Sequence, residues 1–300
     1  MRKVELFVCF LILQVLLLSP FLGAANLCSY LDFEGGYRWD KLDNRVVFYG
    51  GEFFAGGQIF NQINSVQIGG RGRWMITDYL VLKGLGHYGW VLDGEFDQTT
   101  YTGDLDGNVW DVSAAIGWAL QCHPCWGVIP SVGWAYSELD ITVKDVSTGI
   151  VPPESKRISL SNIDCKQSIQ GPWGGFELFF DPSCCLDISL AYELHKGRWR
   201  GDYFPDVGDF GPDFGRIGGF AAKRTNNHMW GNIFRMEGIY TFCSCFDVGL
   251  LLTYEFWKGQ YASSGNFKRT ITPVAPFTNT PVIDVGWKSF SAMVQVGYRF

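Results

Sequence analysis

The chain has 300 residues, 47% hydrophobic and 16% aromatic, with a formal charge of −6. Mild acidity without any basic run argues against a nucleic-acid partner, and no apolar run, the N-terminal one that stops at Ser19–Pro20 included, has the roughly 20 residues a transmembrane helix needs. Thirty-seven glycines, about 12% against a usual ~7%, and 12 tryptophans mark a chain rich in the residues of a membrane β-barrel.

Arg2 and Lys3, the apolar stretch from Phe7 to Leu18 and the small residues Gly23, Ala24 and Ala25 read as a secretory leader cleaved after Ala25. Residues 26–300 then form one domain. A lipid anchor at Cys28 is the weaker reading, because Leu27 is bulkier than such sites accept.

From there, apolar and polar residues alternate with period two. Leu31, Phe33, Tyr37 and Trp39 alternate with Asp32, Glu34, Arg38 and Asp40. Val66, Ile68, Trp74 and Ile76 stand opposite Gln67, Arg71 and Arg73, and Leu80, Leu82, Tyr88 and Trp90 opposite Lys83 and His87. Trp110 to Leu120, Trp126 to Tyr136, Phe176 to Phe180, and Leu186 to Leu194 repeat the pattern, the last two with Glu177 and Glu193 on the polar face. Trp230 to Phe242 carries Arg235 and Glu237 on that face, and Val248 to Phe256 carries Glu255. In the last stretch Phe290, Ala292, Val294, Val296, Tyr298 and Phe300 share one face, with Arg299 on the other.

These segments predict an all-β, up-and-down antiparallel barrel of about ten membrane-spanning strands, with twelve as the alternative, each near the ~9–11 residues a tilted strand requires. Trp39, Trp90, Trp110, Trp134 and Trp230 mark one aromatic girdle, and Trp74, Trp126, Phe180, Phe242 and Phe300 the other. Connections at Thr77–Asp78, Cys122–Cys125, Asp181–Cys185 and Cys243–Cys245 are tight. Those at roughly 41–63, 91–108, 137–170, 197–229 and 257–283 are long and rich in Gly, Asp, Asn and Pro. Short turns in the periplasm and long loops outside place the chain in a bacterial outer membrane, both termini periplasmic. Val296, Tyr298 and Phe300 resemble the terminal signal read by the barrel-assembly machinery of Gram-negative bacteria.

Cys9 leaves with the leader. Of the rest, Cys28, Cys122, Cys125, Cys184, Cys185, Cys243 and Cys245 fall at the periplasmic end, and only Cys165 in an external segment. An oxidising compartment favours disulfides, and neighbouring turns about 10 Å apart favour pairing with other envelope proteins or further copies of the chain. Intramolecular staples are the alternative. Cys122–His123–Pro124–Cys125 has no following helix for redox work and no companion pair for zinc.

The units running from Tyr240 to Gly249 and from Phe179 to Asp187, each strand–cysteine–strand, together with the closing Tyr298–Arg299–Phe300, resemble the major outer membrane protein-like porins of Chlamydiae and Legionella. That resemblance covers the mature chain and implies a passive pore for small hydrophilic solutes, with intermolecular disulfides that stiffen the envelope. The chain is short for the chlamydial porins. A lumen of this width, lined by Arg38, Arg71, Arg73, Lys83, Glu177, Glu193, Arg235, Glu237, Glu255 and Arg299, either stays open or closes by ion pairing. The alternatives are a closed structural barrel, an adhesin using the 197–229 loop, or a hydrolase built on His195 with Glu193 or on His87. No cofactor motif, catalytic group or metal set is expected, and the chain is not expected to be an enzyme.

Overall fold

The computed structural model describes residues 23–24, 28–47, 56–98, 101–123, 125–148, 163–183, 185–205, 222–242, 246–262 and 282–300. Ten long strands run through them: β1 (Tyr30–Val47), β2 (Gly56–Met75), β3 (Leu80–Gln98), β4 (Tyr101–Trp118) and β5 (Trp126–Thr148), then β6 (Ile163–Ser183), β7 (Leu186–Pro205), β8 (Ala222–Phe242), β9 (Phe246–Ala262) and β10 (Val282–Arg299). Each pairs antiparallel with its neighbour in sequence, and β10 pairs with β1 from Arg299↔Tyr30 to Val282↔Val47. The sheet therefore closes into a ten-stranded barrel; the twelve-stranded alternative is set aside. A break at Ala119 is followed by a short strand, Leu120–His123, that continues the β4 side of its hairpin. Gly23–Ala24 pairs with Gln121 and Leu120, while the rest of the predicted leader lies outside the described residues.

The tight turns fall where the sequence places them. At the first, Thr77 Oγ1 accepts a hydrogen bond from the Leu80 amide at 3.0 Å, and the Ile76 amide donates to the Leu80 carbonyl at 2.8 Å. At the other end the loops are shorter than predicted. β3 runs on to Gln98 and β4 begins at Tyr101, so most of the segment 91–108 is strand. The same holds for 41–47, 137–148, 163–170, 197–205 and 257–262.

Strand length is the largest correction. The strands have 17 to 23 residues, not 9–11. At ~3.3 Å per residue and a tilt near 40° they stand about 45–55 Å tall, roughly twice the ~25 Å apolar band of such barrels.

The reason lies in an inversion of the pattern. In the half of the barrel nearer the tight turns, apolar side chains point outward and stay exposed: Phe33 71%, Ile68 53%, Trp134 55%, Phe234 50% and Val294 57%. Polar residues line most of that half of the interior, with a small apolar cluster of Val81, Ala119, Ile129 and Phe179 near the tight turns. In the other half the two faces exchange roles. Leu42, Phe60, Ile63, Leu139, Ile141, Trp199 and Trp287 point inward and form one buried apolar cluster. Their outward neighbours on β5 are Glu138, Asp140, Thr142 and Lys144. The hydrophobic face thus shifts by one residue partway along the strand, as from Tyr136 to Leu139 on β5 and from Phe290 to Trp287 on β10. Such a surface suits hydrocarbon below and water above. The shift breaks a continuous alternation, so the outer strand halves read as polar loops in the sequence.

Cys165 and Trp199, placed by the sequence in external loops, belong to this interior cluster. Residues 206–221 of the 197–229 segment considered as an adhesin surface lie outside the described residues. Trp199→Ala is expected to cost about 3–5 kcal/mol in urea unfolding from vesicles. Lys144→Ala on the outside of the same half should stay within about 0.5 kcal/mol.

Candidate functional site

Among the described residues the barrel interior collects chemistry-bearing groups from every strand. Period-two geometry turns Arg38, Arg71, Arg73, Lys83, Glu177, Glu193, Arg235, Glu237, Glu255 and Arg299 inward, where they meet others that the sequence shows only as neighbours on one face.

At the turn end, Arg299 bridges Asp187 and Asp247, the latter at 2.5 Å. Above it, Arg71 pairs with Glu237, with Glu34 at 3.2 Å and with Asp32 at 3.6 Å. Gln295 and Ser189 also donate to Glu237, at 2.7 and 2.9 Å. Across the lumen Glu177 takes Arg73 on one oxygen and Lys83, at 2.6 Å, on the other. The Tyr30 ring lies beneath both guanidiniums, 5.7 Å from Arg71 and 4.9 Å from Arg73. His87 pairs with Glu34.

The next layer joins Arg235 to Glu193, which also binds His195 Nε2 at 2.8 Å. Arg38 holds Asp40 at 2.8 Å and Asp111 as well. Here four tryptophans form the seam between the polar and apolar halves. Each indole N–H donates to a polar partner: Trp287 to Asp40 at 2.8 Å, Trp199 to Gln167 and Trp173 to Ser113 at 3.1 Å, and Trp257 to Glu255 at 3.4 Å. An indole suits such a boundary because its ring is apolar and its one donor is not. Trp257 lies across Gly231, where an added Cβ would come within 2.4 Å of its ring, so β8 must be bare there. Trp173 stacks on His195 at 5.7 Å, and Trp257 meets the same imidazole edge-on at 5.1 Å.

The interior cavities shrink in the same direction. One of about 200 Å³ at the turn end is lined by Cys28, Asp181, Asp187 and Arg299. One of about 60 Å³ lies between Arg71, Lys83, Trp173 and Arg235, and one of about 30 Å³ beside His195 and Trp257. Beyond them stands the apolar cluster. The catalytic pair considered from sequence, His195 with Glu193, does come together, but His195 is 1% exposed.

Cysteines occupy the rim at the turn end. Cys28 and Cys122 are exposed and Cys125 half-buried, and none of the three forms a disulfide among the described residues. Cys185 lies at the β6–β7 turn; Cys184, Cys243 and Cys245 fall outside the described residues. Val296, Tyr298 and Phe300 project outward, 53%, 47% and 63% exposed.

The sequence showed which charges face inward but not their partners. It did not show the tryptophan seam: only Trp257 stands next to an outward aromatic, Phe256, while Trp173, Trp199 and Trp287 carry no such signal. Glu177→Gln is expected to cost about 3–5 kcal/mol in the same unfolding assay, since it strips two buried cations of their shared anion. Lys83→Met, which keeps the Arg73–Glu177 pair, should cost less.

A family model described as Pom, Protochlamydia outer membrane protein, matches residues 32–300. A comparison with curated proteins finds no match. Among solved structures the chain is similar to the outer membrane protease OmpT from Escherichia coli, with a TM-score of 0.68 at 12% identity, over 93% of this chain and 99% of that one. A looser likeness, TM-score 0.40 at 8% identity, covers 100% of this chain and 98% of the translocator domain of autotransporter NalP from Neisseria meningitidis. Another, to the outer membrane protein OprG from Pseudomonas aeruginosa, has a TM-score of 0.39 at 9% identity, over 91% of this chain and 96% of that one. At such identities the likeness to OmpT is one of fold.

Proposed function

The chain belongs to the Protochlamydia outer membrane protein family, and from that premise we propose that it is a closed barrel of the bacterial outer membrane that ties the envelope together through cysteines on its periplasmic rim. The observation that carries this reading is the filled interior. Leu42, Ile63, Leu139, Ile141, Trp199 and Trp287, each no more than 1% exposed, stand across the path a solute would take. Below them ion pairs cross the lumen, Arg71 to Glu237 and Arg73 with Lys83 to Glu177, and the cavities left between them are only about 60 and 30 Å³.

The short turns and both chain ends face the periplasm in this reading, with the outward Val296, Tyr298 and Phe300 offered to the assembly machinery. Accessible Cys28, Cys122 and Cys125 then sit in an oxidising compartment. Their partners are other envelope proteins or further copies of the chain. From the resemblance to the major outer membrane protein-like porins the proposal keeps the cross-links and drops the open channel. Catalysis has no part in it: the His195 imidazole is enclosed by Trp173, Trp257 and Glu193, where a substrate has no approach.

Planar-bilayer recording of the refolded protein, with and without reductant, is expected to stay silent. Stepwise, ion-selective openings would overturn the closed reading and restore a porin. Non-reducing electrophoresis of whole envelopes is expected to show disulfide-linked species that weaken in a Cys28→Ser/Cys122→Ser/Cys125→Ser variant. A wild-type chain that migrates as a monomer without reductant would sink the cross-linking role.

A further inference from the structure

The outward surface just beyond the apolar band is not the same all the way round. On β1, the first outward residue past Trp39 is Lys41; on β10, past Phe290, it is Lys288. On β9 it is Lys258, past Phe256, and on β7 it is Lys196, past Leu194. On β8, between the last two, the band ends in Trp230, 42% exposed. The register places these side chains together. Lys41 faces Lys288 directly, and Trp230 pairs with Lys258 on one side and Lys196 on the other. With neighbouring strands about 4.8 Å apart, four ammonium groups share a patch only a few strands wide.

The far side of the barrel differs at the same level. There the first outward residues past the band are Asn64 on β2, Asn108 on β4, Glu138 on β5 and Gln170 on β6. Its lysines are engaged: Lys144 binds Asp106 at 2.5 Å, and Lys166 binds Glu138 at 2.6 Å and Asp140 at 3.5 Å. Lys41, Lys196, Lys258 and Lys288 form no ion pair with any described residue. Asp43, the outward carboxylate two residues past Lys41 and in register with Gly286 and Lys258, is outnumbered by the four ammonium groups; like charges gathered on neighbouring strands repel, and the excess of positive charge calls for an anion from outside the chain.

We propose that Lys41, Lys196, Lys258 and Lys288 form a docking face for the phosphate groups of a membrane glycolipid of the outer leaflet. The position selects a lipid over a soluble polyanion. Each lysine stands two residues beyond an apolar side chain that the hydrocarbon covers, at the depth where headgroups lie and where lysine stems lie along apolar surface with the ammonium in the polar layer. Trp230 in their midst is an interfacial anchor of the usual kind. The choice of leaflet rests on the orientation proposed above; the binding does not.

The test uses the full-length refolded protein and phosphatidylcholine vesicles containing fluorescent bisphosphorylated lipid A, with dephosphorylated lipid A as the control, binding being read by energy transfer from tryptophan. Preference for the phosphorylated lipid is expected, with a drop of at least about tenfold in a Lys41→Gln/Lys288→Gln variant, in line with the attraction of each such cation near an anionic surface. Lys144→Gln/Lys166→Gln on the far side is expected to bind as the parent does. Equal binding of both lipids, equal loss in the two variants, or competition by soluble heparin through the same lysines would overturn the proposal. Labelling of a Lys144→Cys variant with an impermeant thiol reagent on intact cells reads the orientation separately.

Discussion

A sheet that crosses hydrocarbon can leave no unpaired edge, because nothing there replaces the missing hydrogen bonds. Here the edge is removed by the pairing of Tyr30–Val47 with Val282–Arg299 along their whole length, which makes the first and last strands neighbours. Everything else follows from that closure. It fixes an inside and an outside for each side chain, and it brings residues far apart in the chain, such as Arg73 and Glu177 or Arg71 and Glu237, to face one another across the lumen.

Strands twice as long as the bilayer requires give one barrel two solvents. Below, the outside meets lipid, so apolar residues face out and polar ones must find partners within; hence the chain of ion pairs from Arg299 up to Arg38. Above, the outside meets water, and the interior reverts to the apolar core of a soluble protein. Trp173, Trp199, Trp257 and Trp287 stand where the two regimes meet, each with a ring for the apolar side and a donor for the polar side. The same boundary, seen from outside, is where the headgroups of the membrane lie. The tryptophan seam inside and the lysine patch outside are thus answers to one change of solvent.

The lower half of the barrel was legible in the sequence because its signal is local. A residue and its second neighbour share a face whatever the rest of the chain does, so Phe33 against Asp32 and Val294 against Gln295 declare outside and inside by themselves. Tight turns announce themselves the same way, as at Thr77–Asp78. The upper half reads as loop because the hydrophobic face slips by one position between Tyr136 and Leu139, or between Trp39 and Leu42. A strand whose pattern inverts looks like one that has ended. For that reason Cys165 and Trp199 read as loop residues although they are core.

From its sequence alone, then, this chain declares an exported barrel of about ten strands, which face of each lower strand meets lipid, and where the tight turns gather the cysteines. Only the tertiary structure decided that an apolar cluster fills one end of the interior, which carboxylate each buried cation meets, and that four lysines gather on one side of the outer surface. Those outcomes depend on register around a closed sheet, a relation among strands as far apart in the chain as Tyr30–Val47 and Val282–Arg299 that no local period encodes.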